Sequence, residues 1–265
     1  MNAPQNNKSE DQWDKWPIWI DDETFQTPRF HFHGTLNDYT CQTGKQNIAI
    51  LKNKGFLDIY RELLREARPK KIFEIGFFQG GMPLFLADMI DPEKIVAMDI
   101  NQPTKDLNRV IKEAGLDDTI KLFGGISQDN TTAIHSVIRE QFGKEPIDLI
   151  IDDASHEYMN SRICFEQTFG YLRPGGKYVL EDWGWLHWRH DPWQTDQSYF
   201  WGKPALTNLL FELTMALASS PEAISRVDIL NPALAVITRG SGLAHGEKFD
   251  LAENRRTCGR DFQIL

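Results

Sequence analysis

The stretch Lys71–Asp99, KIFEIGFFQGGMPLFLADMIDPEKIVAMD, decides the fold. It opens on a short apolar strand, KIFEIG (71–76), passes through a glycine turn into a helix over Met82–Met89, and ends on a second apolar strand, KIVAMD (94–99). Two short strands rich in Ile and Val, joined by one helix, form a βαβ unit, and such units stack into a parallel sheet buried on both faces. The same alternation continues outward. Strands are expected at Thr119–Phe123, Ile147–Asp152 (IDLIID) and Lys177–Asp182 (KYVLED). The spacing predicts helices over Lys105–Ala114, Asn130–Phe142, Tyr158–Leu172 and Pro204–Ala218. Val227–Leu230 and Ala233–Arg239 flank a short Asn231-Pro232 turn, and so short a link permits only an antiparallel pair. The expected fold is α/β: a doubly wound, mostly parallel seven-stranded sheet with an antiparallel edge hairpin.

Upstream, helical spacing runs from Gln46 to Ala67, with Ile50, Leu51, Phe56, Leu57, Tyr60, Leu63 and Leu64 on one side. Before it, Trp13, Trp16, Trp19, Phe25, Phe30 and Phe32 alternate with Pro and Asp without a period. These aromatics are expected to pack on the main domain or on another subunit, and the first dozen residues, rich in Asn, Gln, Lys and Glu, to be disordered. The division expected is an N-terminal aromatic arm, 1–45, and one catalytic-type domain, 46–265.

Composition excludes several classes. With 265 residues, 41 % hydrophobic and 25 % charged, the chain can bury a core without metal or disulfide staples. A formal charge of −9 repels phosphate backbones, so no nucleic-acid partner is expected. No apolar run approaches the roughly 18 residues of a membrane span. The opening MNAPQNNKSEDQWDKW has no apolar signal region, and Cys41, Cys164 and Cys258 are odd in number and far apart. These features predict a cytoplasmic protein with reduced thiols.

In sheets of this kind ligands bind beyond the carboxyl ends of the strands. The first strand ends in Glu74-Ile75-Gly76-Phe77-Phe78-Gln79-Gly80-Gly81, a glycine turn with Phe78 where a dinucleotide loop carries its second glycine. A pyrophosphate would meet that side chain, whereas a phosphate-free nucleoside would not. The second strand ends in Asp99, placed either to accept from ribose hydroxyls or to cap a helix. The loop after the third strand puts Ser127 on the same rim, where adenine would lie, with Asp129 as a helix cap. The fourth strand ends Asp152-Asp153-Ala154-Ser155-His156 and the fifth Glu181-Asp182. Four carboxylates on one rim repel one another unless a cation joins them, and oxygen ligands favour Mg²⁺, with Ca²⁺ or Mn²⁺ next. The alternative is a helix cap plus an ion pair to Arg162 or Arg173. His156 is a third ligand, a structural histidine or a general base, and its place on the rim favours the base. Asp152 touches cofactor, metal or only backbone. The aromatic run from Trp183 to Trp201, with His187 and His190 within it, is either a substrate lid or a subunit interface.

EIGFFQGG (74–81), IDDASH (151–156) and RPGGKYVLEDW (173–183) together resemble class I S-adenosylmethionine-dependent methyltransferases. Within that class they resemble the branch of macrolide-sugar O-methyltransferases and cephalosporin-hydroxylase-like proteins, over about residues 46–240. The resemblance implies S-adenosylmethionine and Mg²⁺ as cofactors, and Asp153, Glu181 and Asp182 as metal ligands. It further implies His156 as the base, and Glu74, Gly76 and Asp99, with Gly80, Ser127 and Asp152 on the same rim, around the cofactor. The expected activity is Mg²⁺-dependent methylation of a natural-product hydroxyl, a glycosylated or polyhydroxylated one, by a homo-oligomer. The alternatives are a non-catalytic cofactor-binding scaffold and, disfavoured by Phe78, an NAD-type oxidoreductase.

Overall fold

The computed structural model describes residues 15–34, 39–44, 47–189 and 194–260. The expected disorder of the first dozen residues, Trp13 and His190 lie outside them. Among the described residues no helix is long and apolar enough to cross a membrane.

Four short strands come first: β1 (Ile18–Trp19), β2 (Thr24–Gln26), β3 (His31–Gly34) and β4 (Ile48–Ile50). They form one sheet in the order β1-β2-β3-β4, antiparallel except for the parallel β3–β4 pair. The helix expected from Gln46 therefore starts later, as α1 (Lys54–Ala67), with Asn53 accepting from the Phe56 N–H as its cap. Ile48-Ala49-Ile50 holds two β-branched residues and all three are buried, and pairing with β3 overrides the helical period read through it. The first sheet thus runs to Ile50. Its aromatics pack on the main domain: the Phe25 and Phe32 rings stack at 4.8 Å and both set edges against Phe85 at 6.2 Å. Asp88, buried to 3 %, ties this sheet down by accepting from the Thr27 hydroxyl, the Arg29 backbone N–H (2.8 Å) and Arg29 Nε (2.6 Å).

The main sheet has seven strands in the order β10-β11-β9-β8-β5-β6-β7. Its parallel members are β5 (Lys71–Ile75), β6 (Lys94–Asp99), β7 (Ile120–Gly124), β8 (Ile147–Asp152) and β9 (Leu172–Glu181). β10 (Ile224–Ile229) and β11 (Leu234–Arg239) form the expected hairpin. The hairpin lies at the sheet edge, as expected: β11 pairs antiparallel with β9 and carries β10 outside it. β9 also begins earlier than expected, at Leu172, so the helix before it stops at Thr168 with a single 3-10 turn over Phe169–Tyr171.

Helices cover both faces. With α1, α2 (Gly81–Ile90) and α3 (Lys105–Glu113) bury one side, sharing a core with Ile72, Ile95, Leu149 and Val179 and with the aromatics of the first sheet. On the other side α4 (Thr131–Phe142), α5 (Tyr158–Thr168) and α6 (Thr207–Ser219) pack on Phe73, Val96, Ile150 and Tyr178. Adjacent strand residues go to opposite cores, as the period of two requires. A short α7 (Leu251–Asn254) closes the described chain against Ser220 and Glu166.

Asp88→Ala would leave the Thr27 hydroxyl and two Arg29 N–H groups, the backbone one and Nε–H, without their buried acceptor. It is expected to destabilise the protein by about 2–4 kcal/mol, read as a lower urea midpoint at unchanged m-value.

Candidate active site

Register brings the strand ends together. Asp152 lies opposite both Ile75 and Leu180, so the residues after β5, β8 and β9 leave the sheet at one level. The Asp153 N–H donates to the Ile75 carbonyl and the Gly76 N–H to that of Met98. Gly76 has φ +92°, and a Cβ there would sit 2.0 Å from the Asp153 carbonyl oxygen. Gly80, the N-cap of α2, has φ +79° and a Cβ there would meet Leu107 at 2.4 Å. Both positions need glycine for conformation and for space. Phe78 takes a left-handed φ of +46°, and its N–H donates to Asp99 Oδ2 at 2.8 Å. The first sheet braces this turn: the Thr43 hydroxyl donates to the Gln79 carbonyl at 2.6 Å and accepts from the Ala49 N–H.

Asp153, His156 and Asp182 converge, each offering a ligand atom within 4.8 Å of the others. His156 Nε2 lies 3.9 Å from Asp153 Oδ1 and 3.8 Å from Asp182 Oδ2. His156 (φ +53°) and Asp182 (φ +51°) are both in the left-handed region, a local cost that the surrounding hydrogen bonds sustain. Glu181 does not join them. Its Oε2 accepts from Lys52 Nζ at 2.7 Å and its Oε1 from the Tyr60 hydroxyl at 2.5 Å. Lys52 Nζ also donates to Asp153 Oδ2 at 2.8 Å. The ammonium of Lys52 thus stands where a metal bridging Asp153 and Glu181 was expected. Burial works against its charge, but Asp153 and Glu181 outweigh that and hold the amine charged far above its ordinary range. Arg162 and Arg173, the candidate partners for these acids, instead pair with Glu166 and Glu212 and with Asp148.

The remaining expected residues divide. Glu74 is buried and its Oε2 has no hydrogen-bond partner. Burial pushes its carboxyl well above 4.5, with Lys52 opposing and Asp153, Glu181 and Asp99 adding. Asp99 accepts from Phe78 N through Oδ2, and from Asn101 N and Nδ2 through Oδ1. A carboxylate accepts about four hydrogen bonds, so one position is left on Asp99. Ser127 donates to Asp129 Oδ1 at 2.5 Å. Asp152 is turned into the protein, accepting from Gln128 Nε2 at 2.6 Å and from the Tyr178 hydroxyl at 2.8 Å. Its contacts are therefore with side chains that hold the rim rather than with backbone. Gln128 extends the link by accepting from the Ser155 hydroxyl.

The aromatic run closes over the His156 side. Trp185 is buried against Phe200, ring centroids 3.8 Å apart, and Trp183 Nε1 donates to the Asn231 carbonyl. A cavity of about 250 Å³ is lined by His156, Glu157, Tyr158, Met159, Phe200, Lys203 and Pro204. Tyr199 and Lys203 both donate to Glu157 Oε1. His187 is held by the Thr207 hydroxyl and takes no part in the acidic group.

The model of a methyltransferase-domain family matches residues 73–183, from β5 to just past the end of β9. Over residues 73–183 the chain is therefore similar to methyltransferase domains. Over 64 residues the chain is 39 % identical to demethylmacrocin O-methyltransferase of Streptomyces fradiae, a stretch that covers 24 % of this chain and 15 % of that protein. Over 43 residues it is 44 % identical to mycinamicin VI 2''-O-methyltransferase of Micromonospora griseorubida, covering 16 % and 11 %. The structure of MycE methyltransferase from the mycinamycin biosynthetic pathway, in complex with Mg, SAH and mycinamycin VI, superposes with a TM-score of 0.51 at 22 % identity. That match covers 70 % of this chain but 49 % of MycE. A Staphylococcus aureus protein described as a caffeoyl-CoA O-methyltransferase matches with a TM-score of 0.50 at 14 % identity, over 72 % of this chain and 86 % of its own. At these identities the structures establish the fold alone, the mostly parallel seven-stranded sheet. The chain spans about half of MycE and a small fraction of the two macrolide enzymes.

Burial raises the Asp152 carboxyl from 3.8 to about 7, opposed by the Tyr178 hydroxyl and aided by Asp153. An acid with a raised folded pKa is a stabilising proton site below its unfolded value, and that contribution is lost as pH rises through the folded one. Asp152→Asn keeps the shape without the titration. In metal-free buffer its stability is expected to fall less than the wild type's between pH 4 and pH 7, by up to about 4 kcal/mol, in paired denaturant titrations.

Proposed function

We propose that the protein is an S-adenosylmethionine-dependent O-methyltransferase that uses Mg²⁺ and acts on a hydroxyl of a natural product, a glycosylated or polyhydroxylated one. The observation that carries this reading is the convergence of Asp153, His156 and Asp182 beside the glycine turn of a methyltransferase domain. The donor set fits Mg²⁺, which keeps several waters and takes one or two carboxylates: Asp153 and Asp182 are 23 % and 32 % exposed and face one another across His156. The turn fits the cofactor: Glu74 presents an unpartnered buried oxygen, Asp99 keeps an acceptor position, and Gly76 and Gly80 leave no side chain in the way. Bound there, the cofactor supplies a methyl group on a sulfonium and the ion lowers the pKa of a hydroxyl.

The residues of the chain do the rest. Asp153 and Asp182 would hold the ion. His156, whose side chain is partly exposed, accepts the proton of the acceptor hydroxyl at Nε2 as the new C–O bond forms. The imidazolium that results lies under 4 Å from two carboxylates, so the charge is stabilised where it appears. Phe200, Met159 and Pro204 offer an apolar wall and Glu157 and Lys203 polar partners, so the cavity beside His156 would seat one ring of the acceptor.

His156→Ala is expected to slow turnover about 10²–10⁴-fold while calorimetry shows cofactor affinity unchanged. Chelation is expected to abolish turnover, with Mg²⁺ restoring it. Undiminished activity in excess chelator would overturn the metal part. Binding of S-adenosylmethionine with no S-adenosylhomocysteine formed on any panel of glycosides, polyols and phenols would point instead to a non-catalytic scaffold.

A further inference from the structure

Lys52 is the one described cation that touches two of the rim's acids at once, and it arrives from outside the matched domain. It follows β4 directly, held by the β3–β4 ladder on one side and by the Asn53 cap of α1 on the other. Its ammonium lies 5.0 Å from the Phe56 ring centroid, and its side chain is 4 % exposed. From here the acids grade outward: Glu181 is 1 % exposed, Asp153 23 % and Asp182 32 %. The inner end of the cluster is sealed and its outer end is open.

We infer that Lys52 is a resident monovalent counter-ion of the metal centre: it occupies the Asp153–Glu181 position, withdraws Glu181 from the ligand set, and confines the divalent ion to the outer group of Asp153 and Asp182 beside His156. The inference rests on the Mg²⁺ reading above. Three carboxylates and one ammonium leave two net negative charges, which one divalent ion neutralises. Turning Glu181 outward as a ligand would take the acceptor from the buried Tyr60 hydroxyl and one of two anions from a buried ammonium. Each loss is costly where water cannot substitute. Lys52 is therefore a positioning residue. It does not reach the reacting atoms, but it presents Asp153 with Oδ2 turned inward and Oδ1 toward His156.

The test is Mn²⁺ binding, followed by the free-ion electron paramagnetic resonance signal on the full chain without any turnover. Lys52→Met removes a competing positive charge and frees Glu181. It is expected to tighten Mn²⁺ binding by about ten- to a hundredfold, the scale on which groups just behind a metal's ligands act. Glu181→Gln, whose amide oxygen can still accept from Lys52 while its NH2 donates to the Tyr60 hydroxyl oxygen, is expected to change affinity by no more than about tenfold in the wild-type background. In the Lys52→Met background the same substitution is expected to cost about a hundredfold or more, a coupling that independent structural roles would not produce. A loss of about a hundredfold for Glu181→Gln in the wild-type background, or weaker binding in Lys52→Met, overturns the inference and leaves the Mg²⁺ reading standing. If the wild type binds no Mn²⁺, or binds it regardless of Asp182→Asn, both fall. Should Lys52→Met fail to fold, Glu181→Gln in the wild-type background decides alone.

Discussion

A buried ammonium with two carboxylates against it organises this molecule. Lys52 Nζ sits 2.8 Å from Asp153 and 2.7 Å from Glu181, at a depth where a lone charge of either sign would be prohibitive. Each partner comes from a different part of the fold: Lys52 from the end of β4, Asp153 from just past β8, and Glu181 from the last residue of β9. The contact therefore joins the N-terminal sheet to the two strands whose ends make the site. Removing any member would strand the charge of the others, so the three elements hold one another in place.

That constraint gives the first sheet a reason to exist beyond its own packing. Four strands this short bury little by themselves. Stacked on Phe85 through Phe25 and Phe32, and pinned by Asp88, they become a rigid platform. The platform delivers two things to the catalytic face: the Thr43 contacts that brace the glycine turn, and the lysine that neutralises the inner acids. A second network does the same work from the opposite side. Gln128 reaches from the loop after β7 to Asp152 and Ser155, and Tyr178 closes it from within β9. Between these two braces the backbone at His156 and Asp182 is held in a conformation that few side chains adopt unaided.

The electrostatics follow from depth. Acids at the strand ends lie closer than like charges tolerate in water, and three devices handle them. Lys52 pairs with two, burial keeps Glu74 protonated far above its ordinary range, and the outermost pair faces solvent with a histidine between them. On the proposed function, the last arrangement is the one that would take a divalent ion and a substrate, at the open end rather than at the sealed one.

The sequence by itself determined the sheet. Runs such as KIVAMD and IDLIID are apolar on both faces, and only a doubly covered parallel sheet buries them. It also determined that Gly76, Asp99, Asp153, His156, Glu181 and Asp182 would meet on one rim, because strand ends of a parallel sheet converge whatever the loops do. Tertiary structure decided who partners whom. Lys52 sat within an apparent helical repeat. The signal that marks it otherwise, an Ile-Ala-Ile stretch with Asn53 as a helix cap three residues on, has meaning only once β3 is there to pair with it. Asp152 looked as available as Asp153 until the pleat sent one inward to Tyr178 and let the other follow the chain out of the sheet. Periodicity is a property of neighbours along the chain and can be read there. Charge pairing depends on which distant segment fills the space beside a carboxylate, and that is settled only when the elements pack.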